Sequence, residues 1–405
     1  MKKRENMSNT HNEHFVPASW KQDISSRIDA IAQALSHIGA DAALLADNID
    51  LYYTSGRVFN GFTYITAQGQ VHYYVRRPLG YEYEPCVTYV HKPELIPSHL
   101  DRLPRKVAMM ADTMPQAQWA RLSHVFGNAE IVDGSAAMRR LRSVKSPLEQ
   151  QLLRESARRH VQVYKQVPEL YRSGMTDLEL EIEIERLARL AGSTGLVRCH
   201  GDAMEMFMGS LLSGDNADEP SPYDFAMGGA GINLSQPVGA NGTIIKPHTT
   251  IMVDLGMNYG GYMTDMTRTL AVGDVPEIAA RAHQLSIDIN HRLARTGHHG
   301  IEARELYAIA LDMTQEAGLA SYFMGHRQQA GFVGHGIGLE TNEAPVLAPR
   351  SRDVLLTGQV IAIEPKYVLP GIGAVGIENT YIVQPHCLEC ITTMPEELHD
   401  IAKPY

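Results

Sequence analysis

Two stretches of this sequence sink a carboxylate into an otherwise apolar strand, and each obliges the fold to place something beside it that neutralises the charge. Ile251-Met252-Val253-Asp254-Leu255 is the first, and Ile361-Ala362-Ile363-Glu364-Pro365 is the second. A buried charge without a partner costs several kcal/mol. The turn signal Asn258-Tyr259-Gly260-Gly261 follows the first stretch, and a hairpin with the two-residue loop Tyr259-Gly260 predicts Asp254 directly opposite Asp265. Opposed residues lie about 5 Å apart, where like charges repel by about 3 kcal/mol at an effective dielectric of about 20. A hairpin centred on Gly371, within Leu369-Pro370-Gly371-Ile372, likewise brings Glu364 opposite Glu378, with Pro365 disturbing the ladder locally. A single aspartate could be satisfied by Arg268 or by a turn. Two acidic hairpins that converge need a cation, and four carboxylates balance two divalent ions.

An imidazole completes the set. His335 stands in Gly331-Phe332-Val333-Gly334-His335-Gly336-Ile337-Gly338-Leu339-Glu340, among glycines that let backbone or ligand approach closely. With one imidazole and mostly carboxylate oxygen, the expected centre is hard. That favours Mn(II) and leaves Co(II), Fe(II) and Zn(II) open.

The rest of the sequence sets the frame. A chain of 405 residues with 44% hydrophobic content is long enough for two domains. The formal charge of −10 argues against nucleic acid or an anionic membrane as partner, since both are bound through basic patches. Met1 to Phe15 is polar, and no run approaches the ~18 apolar residues of a membrane span, so a cytoplasmic location is expected. Cys86, Cys199, Cys387 and Cys390 are too scattered to staple a secreted fold, and reduced thiols are expected. From Asp23 to about Gly134 helical stretches alternate with short apolar runs, which is α/β writing. Ser146-Pro147-Leu148-Glu149 supplies a cap, a first-turn proline and a reciprocal Glu for a long helix running to about Tyr171. Thr176-Asp177-Leu178-Glu179 repeats the signal for a second helix. Helices are also expected from Asp274 and over Ile301 to Gly318. The domains are therefore drawn at 16–145 and 146–405, the latter as two related halves. The methionines between Met204 and Met208 read as core or pocket lining.

These motifs resemble the pita-bread metallopeptidases, which include Xaa-Pro aminopeptidases, prolidases and methionine aminopeptidases. The likeness is carried by Val253-Asp254-Leu255-Gly256, Tyr262-Met263-Thr264-Asp265-Met266-Thr267-Arg268, Gly334-His335-Gly336-Ile337-Gly338, Ile363-Glu364-Pro365 and Gly376-Ile377-Glu378-Asn379-Thr380. It extends upstream through Leu141-Arg142-Ser143-Val144-Lys145-Ser146 and Asn48-Ile49-Asp50-Leu51-Tyr52-Tyr53, which look like the junction and amino domain of the proline-specific branch. The resemblance implies an α/β creatinase-like amino domain, then an α+β pita-bread catalytic domain and a homodimer. It implies two divalent metal ions on Asp254, Asp265, His335, Glu364 and Glu378, with Asp265 and Glu378 bridging. A metal-bridging hydroxide would then cut a peptide bond next to proline, as an aminopeptidase or a dipeptidase, with Glu364 shuttling the proton.

Three positions depart from the family pattern. Where relatives carry a substrate-contacting histidine about 17 positions before the first aspartate, this chain reads Gln236-Pro237-Val238-Gly239. Asn342 stands where a second histidine is usual, and Gly376 where an arginine is usual. His200, His326 and Asn342 are candidates to take those places. The altered surroundings leave two alternatives open: a metal-dependent hydrolase or lyase acting on a small non-peptide substrate, and a non-catalytic pita-bread protein that only binds ligand.

Overall fold

The computed structural model describes residues 18–80, 86–201, 207–224 and 228–402. The polar amino end, Met1 to Phe15, and the methionines Met204 and Met206 lie outside the described residues. The chain divides into two compact units, Met1–Leu141 and Arg142–Tyr405.

The amino unit is built on six strands: β1 Ala42–Leu45, β2 Asn60–Thr66, β3 Val71–Arg77, β4 Val87–Tyr89, β5 Lys106–Met109 and β6 Glu130–Asp133. Their order is β4-β3-β2-β1-β5-β6, with β2 antiparallel to β1 and β3, and the β3/β4, β1/β5 and β5/β6 pairs parallel. The helices are α1 Ala18–His37, α2 Asn48–Ser55, α3 Gln116–Ser123 and α4 Ser135–Ser143, and the division between the units falls inside α4. One core cluster joins Leu44, Tyr74, Val107 and Phe126. The α/β expectation holds for this unit.

The carboxyl unit repeats one plan twice. In its first half, α5 Pro147–Tyr164 begins with the expected capping box between Ser146 and Glu149. It ends at Tyr164, earlier than the expected Tyr171, and a short α6 Val167–Leu170 follows. Pro168 explains the break, because proline offers no N–H and its ring blocks the preceding turn. The α7 helix Asp177–Leu190 carries the second capping box, between Thr176 and Glu179. These helices share a core with the strands β7 Gly209–Ser213, β8 Thr250–Tyr259 and β9 Tyr262–Ala271, through Leu180, Ile184, Val253 and Leu255.

In the second half, α8 Glu277–Thr296 and α9 Ala303–Glu316 bury Ala282, Ile289, Leu306 and Ala310 against Ile361, Ile363, Tyr367 and Tyr381. Its strands are β10 Gly334–Ile337, β11 Thr341–Val346, β12 Val360–Ile363, β13 Lys366–Leu369, β14 Gly373–Gly376, β15 Asn379–Val383 and β16 Leu388–Cys390. A last strand, β17 His399–Asp400, returns to the first half beside β9. The sheet orders are β17-β9-β8-β7 and β11-β10-β12-β15-β16, with β13-β14 as a separate ribbon. No helix among the described residues is long and apolar enough to cross a membrane.

Candidate metal centre

The two acidic hairpins meet where the halves join. In the first, β8 and β9 pair from Thr250 with Ala271 to Tyr259 with Tyr262, so Asp254 faces Thr267 and Asp265 faces Gly256. This corrects the expected direct opposition of Asp254 and Asp265. The loop is Gly260-Gly261, with φ of 65° and 88°, not Tyr259-Gly260. A tight hairpin of this kind needs positive φ at both central residues, which two glycines supply without strain and a tyrosine does not. The register slips by an even step, so both carboxylates stay on one face of the hairpin. Two hydroxyls brace it: Tyr164 donates to Met266 O at 2.6 Å and accepts from Leu255 N at 3.0 Å, while Thr380 donates to Asp265 O at 2.8 Å.

The second hairpin keeps the expected register. Ile363 pairs with Asn379 on one side of a gap, and Lys366 pairs with Gly376 on the other. Glu364-Pro365 and Ile377-Glu378 stand in that gap, opposite each other, where Pro365 interrupts the ladder. The backbones of Glu378 and Thr267 exchange hydrogen bonds of 3.2 and 3.3 Å. This stitches the second half directly to the strand carrying Asp265. The buried Arg268 does not meet an aspartate of the cage. Its guanidinium donates to Thr267 O, Glu378 O and Asn379 Oδ1 at 2.8, 2.9 and 2.9 Å.

His335 comes in on β10, antiparallel to β12, opposite Ala362. Its Nδ1 lies 3.1 Å from Gly336 O, an acceptor, and 3.4 Å from Asn342 N–H, a donor; the tautomer that uses the shorter contact carries its proton on Nδ1 and turns the Nε2 lone pair to the carboxylates. Nε2 is 3.4 Å from Glu364 Oε1 and 4.0 Å from Glu378 Oε1. The flanking glycines are needed for this close packing. A Cβ on Gly336 would press on the carbonyl oxygens of Glu343 and Ala344. Gly336→Ala is therefore expected to lower stability by about 1–3 kcal/mol, read as a lower midpoint in denaturant.

All five residues of the expected set are brought together. Within the described residues they fall into two groupings whose donor atoms lie within 4.8 Å of one another: Asp265, His335 and Glu378, and Asp254, Glu364 and Glu378. A sixth side chain, which sequence reasoning overlooked, sits among them. Lys366 Nζ donates to Asp254 Oδ2 at 2.7 Å, Glu364 Oε2 at 2.7 Å and Glu378 Oε2 at 3.1 Å. Its side chain is 1% exposed. Burial opposes the ammonium, but Asp254, Glu364 and Glu378 outweigh it and hold Lys366 well above its ordinary range. A signal for it was present: a lone lysine two positions after Glu364, in an apolar strand and on the same face.

One ammonium does not neutralise four carboxylates. Burial and then the charge of Asp254 push Asp265 up to about 6, and burial with Asp265 pushes Glu378 well above the usual carboxylate range. Glu378 Oε1 is buried with no hydrogen-bond partner. A buried acceptor left unmade beside an imidazole nitrogen and an excess of negative charge fits a divalent cation.

A cleft opens on the cage, lined by Val197, Met208, Ser210, Phe332, Thr341 and Asn342 with the acidic residues and His335. Of the three candidates to replace the missing family groups, Asn342 alone lines it. His326 Nδ1 instead meets Asp218 at 3.0 Å, and His200 Nδ1 lies 3.8 Å from Glu340.

The comparisons with known proteins follow the same lines. The model of metallopeptidase family M24 matches residues 151–385. The chain belongs to this family. Membership in M24 implies divalent metal ions. The Creatinase/Prolidase N-terminal domain model matches residues 27–144 of the same M24 chain. A Xaa-Pro dipeptidase of Pyrococcus horikoshii is 24% identical over 379 residues, covering 93% of this chain and 99% of that protein. An uncharacterized peptidase of Bacillus subtilis is 26% identical over 295 residues, covering 73% and 74%. Among solved structures, a Xaa-Pro dipeptidase from Bacillus anthracis superposes with a TM-score of 0.77 at 24% identity, covering 93% of this chain and 99% of that one. An X-Pro aminopeptidase from Thermotoga maritima gives 0.75 at 20% identity, with coverage of 93% and 99%. The M24 chain thus has a creatinase-type amino domain and a pita-bread catalytic domain.

Proposed function

We propose that this M24 chain is a metal-dependent peptidase that cleaves a peptide bond adjacent to proline, as a homodimer in the cytoplasm, with Mn(II) as its working metal. The observation that carries the reading is the convergence of Asp254, Asp265, His335, Glu364 and Glu378 into one cage at the foot of a cleft. A relative named as a Xaa-Pro dipeptidase that aligns over 93% of the chain supports the proline preference.

Asp265, His335 and Glu378 would hold the metal, with Asp254 and Glu364 completing the cage. The bound ion would lower the pKa of water and polarise the scissile carbonyl. Glu364 Oε1, the oxygen that Lys366 does not hold, would accept the proton from the attacking water and pass it to the leaving nitrogen. Thr267 Oγ1 lies 2.8 Å from both Asp254 Oδ1 and Glu378 Oε2, and its single proton serves one of the two at a time. Phe332 and Met208 supply apolar walls suited to a pyrrolidine ring.

The test is an assay of Xaa-Pro dipeptides beside Xaa-Pro-Xaa tripeptides, before and after chelation. The expected outcome is cleavage of one class, lost on chelation and regained with Mn(II). Cleavage of neither class by metal-loaded protein, with proline-free peptides or small amides turned over instead, overturns the proline assignment.

A further inference from the structure

We propose that the Lys366 ammonium fills one of the two cation positions of the centre, so that the chain binds one divalent ion, on Asp265, His335 and Glu378, and not two. This rests on the metallopeptidase reading above and departs from the charge balance that suggested a metal pair.

An ammonium has three N–H donors. Those of Lys366 face three carboxylate oxygens, at 2.7, 2.7 and 3.1 Å, so the group is saturated and has none left for a substrate. The three acceptors belong to Asp254, Glu364 and Glu378, which are together one of the two ion-sized groupings of the cage. The other oxygen of Asp254, Oδ1, lies 2.8 Å from the Thr267 hydroxyl, whose single proton it shares with Glu378 Oε2. Asp254 is held by Lys366, and Lys366 is buried on β13. An ion entering this grouping would have to expel a buried ammonium held by three carboxylates.

The second grouping is in a different condition. Lys366 holds the Oε2 atoms of Glu364 and Glu378, which turns both Oε1 atoms towards His335 Nε2, at 3.4 and 4.0 Å. Glu378 Oε1 is the buried acceptor without a partner. Asp265, His335 and Glu378 make three protein ligands, which leaves the remaining positions of a Mn(II) ion to water and substrate. Glu364 Oε1, which Lys366 does not hold, stands beside those positions within reach for proton transfer. A neutral residue in place of Lys366 would release Asp254 and open the second position.

The experiment is to dialyse the full chain against excess Mn(II), count bound manganese by mass spectrometry of the digested protein, and record the Mn(II) paramagnetic resonance spectrum. The expected result is one ion per chain with an uncoupled spectrum. Lys366→Met is expected to raise the count to two and to give the coupled spectrum of ions about 3.5–4 Å apart. Two coupled ions in the wild type overturn the inference while leaving the metal reading intact, and so does a count of one in Lys366→Met. No bound ion in either protein overturns both together. If Lys366→Met does not fold, the wild-type count and spectrum decide, with Asp254→Asn as a second check. That variant is expected to keep one ion, and its loss counts against the ligand set.

Discussion

Glu364→Gln is expected to lower kcat on an Xaa-Pro substrate by roughly 10²–10⁴-fold, the usual contribution of a positioned proton-transfer group, while the protein stays folded and keeps its metal. The amide is the right shape to preserve packing, because Gln Oε1 can still accept from Lys366 Nζ, the partner that lies 2.7 Å from the native carboxylate. What it cannot do is take and return a proton beside His335. Measuring kcat and bound manganese on the same preparation separates lost chemistry from a lost ion. Cleavage that survives the substitution contradicts the assigned shuttle.

Much of this site was legible before any coordinates, and the parts that were not have definite causes. The second hairpin was placed in its correct register, because Pro370-Gly371 fixes the turn and leaves little freedom to slip. The first was placed two residues out. Tyr259-Gly260 and Gly260-Gly261 are both plausible loops in the text, and only the φ of 65° and 88° at the two glycines distinguishes them. The error was harmless to the site because side chains alternate across a strand, so an even slip keeps Asp254 and Asp265 on the same face. The end of α5 was misplaced because helical periodicity continues past Tyr164, and Pro168 decides the break.

Lys366 is the instructive omission. Balancing four carboxylates against two divalent ions leaves no place for the cation already in the strand. A lysine is ordinarily a solvated residue, and its burial here depends on three acidic partners drawn from three segments, Asp254, Glu364 and Glu378. That is tertiary information. By contrast, the capping boxes at Ser146 and Thr176 were read correctly because they are local.

Lys145→Met is expected to cost up to about 3–5 kcal/mol of stability, the penalty for breaking a buried ion pair, since Glu343 keeps only Arg142 Nε at 3.9 Å. Lys145 belongs to the Leu141-to-Ser146 segment that carries part of the family likeness, and the structure gives that segment a physical role. Lys145 Nζ donates to Glu343 Oε2 at 2.9 Å, with side chains 1% and 7% exposed. Beside it, Arg142 meets Glu340 at 2.6 Å. Both glutamates lie on the chain that leaves His335 along β10 and enters β11. The pairs therefore anchor the start of the catalytic unit to the element that presents the imidazole. Denaturant unfolding of Lys145→Met, Glu343→Gln and the double variant measures the coupling. The double variant is expected to recover most of the loss, since it removes both the charge and its missing partner. Equal and additive losses would mean that the pair contributes nothing.

The measurement that bears most directly on the centre is anomalous diffraction at the manganese edge, from crystals of the full chain grown with Mn(II). The expected result is an anomalous peak within ligand distance of Asp265, His335 and Glu378, with Lys366 still bonded to Asp254. A cage that carries no anomalous peak at saturating Mn(II), with the carboxylates held by Lys366 alone, would contradict it.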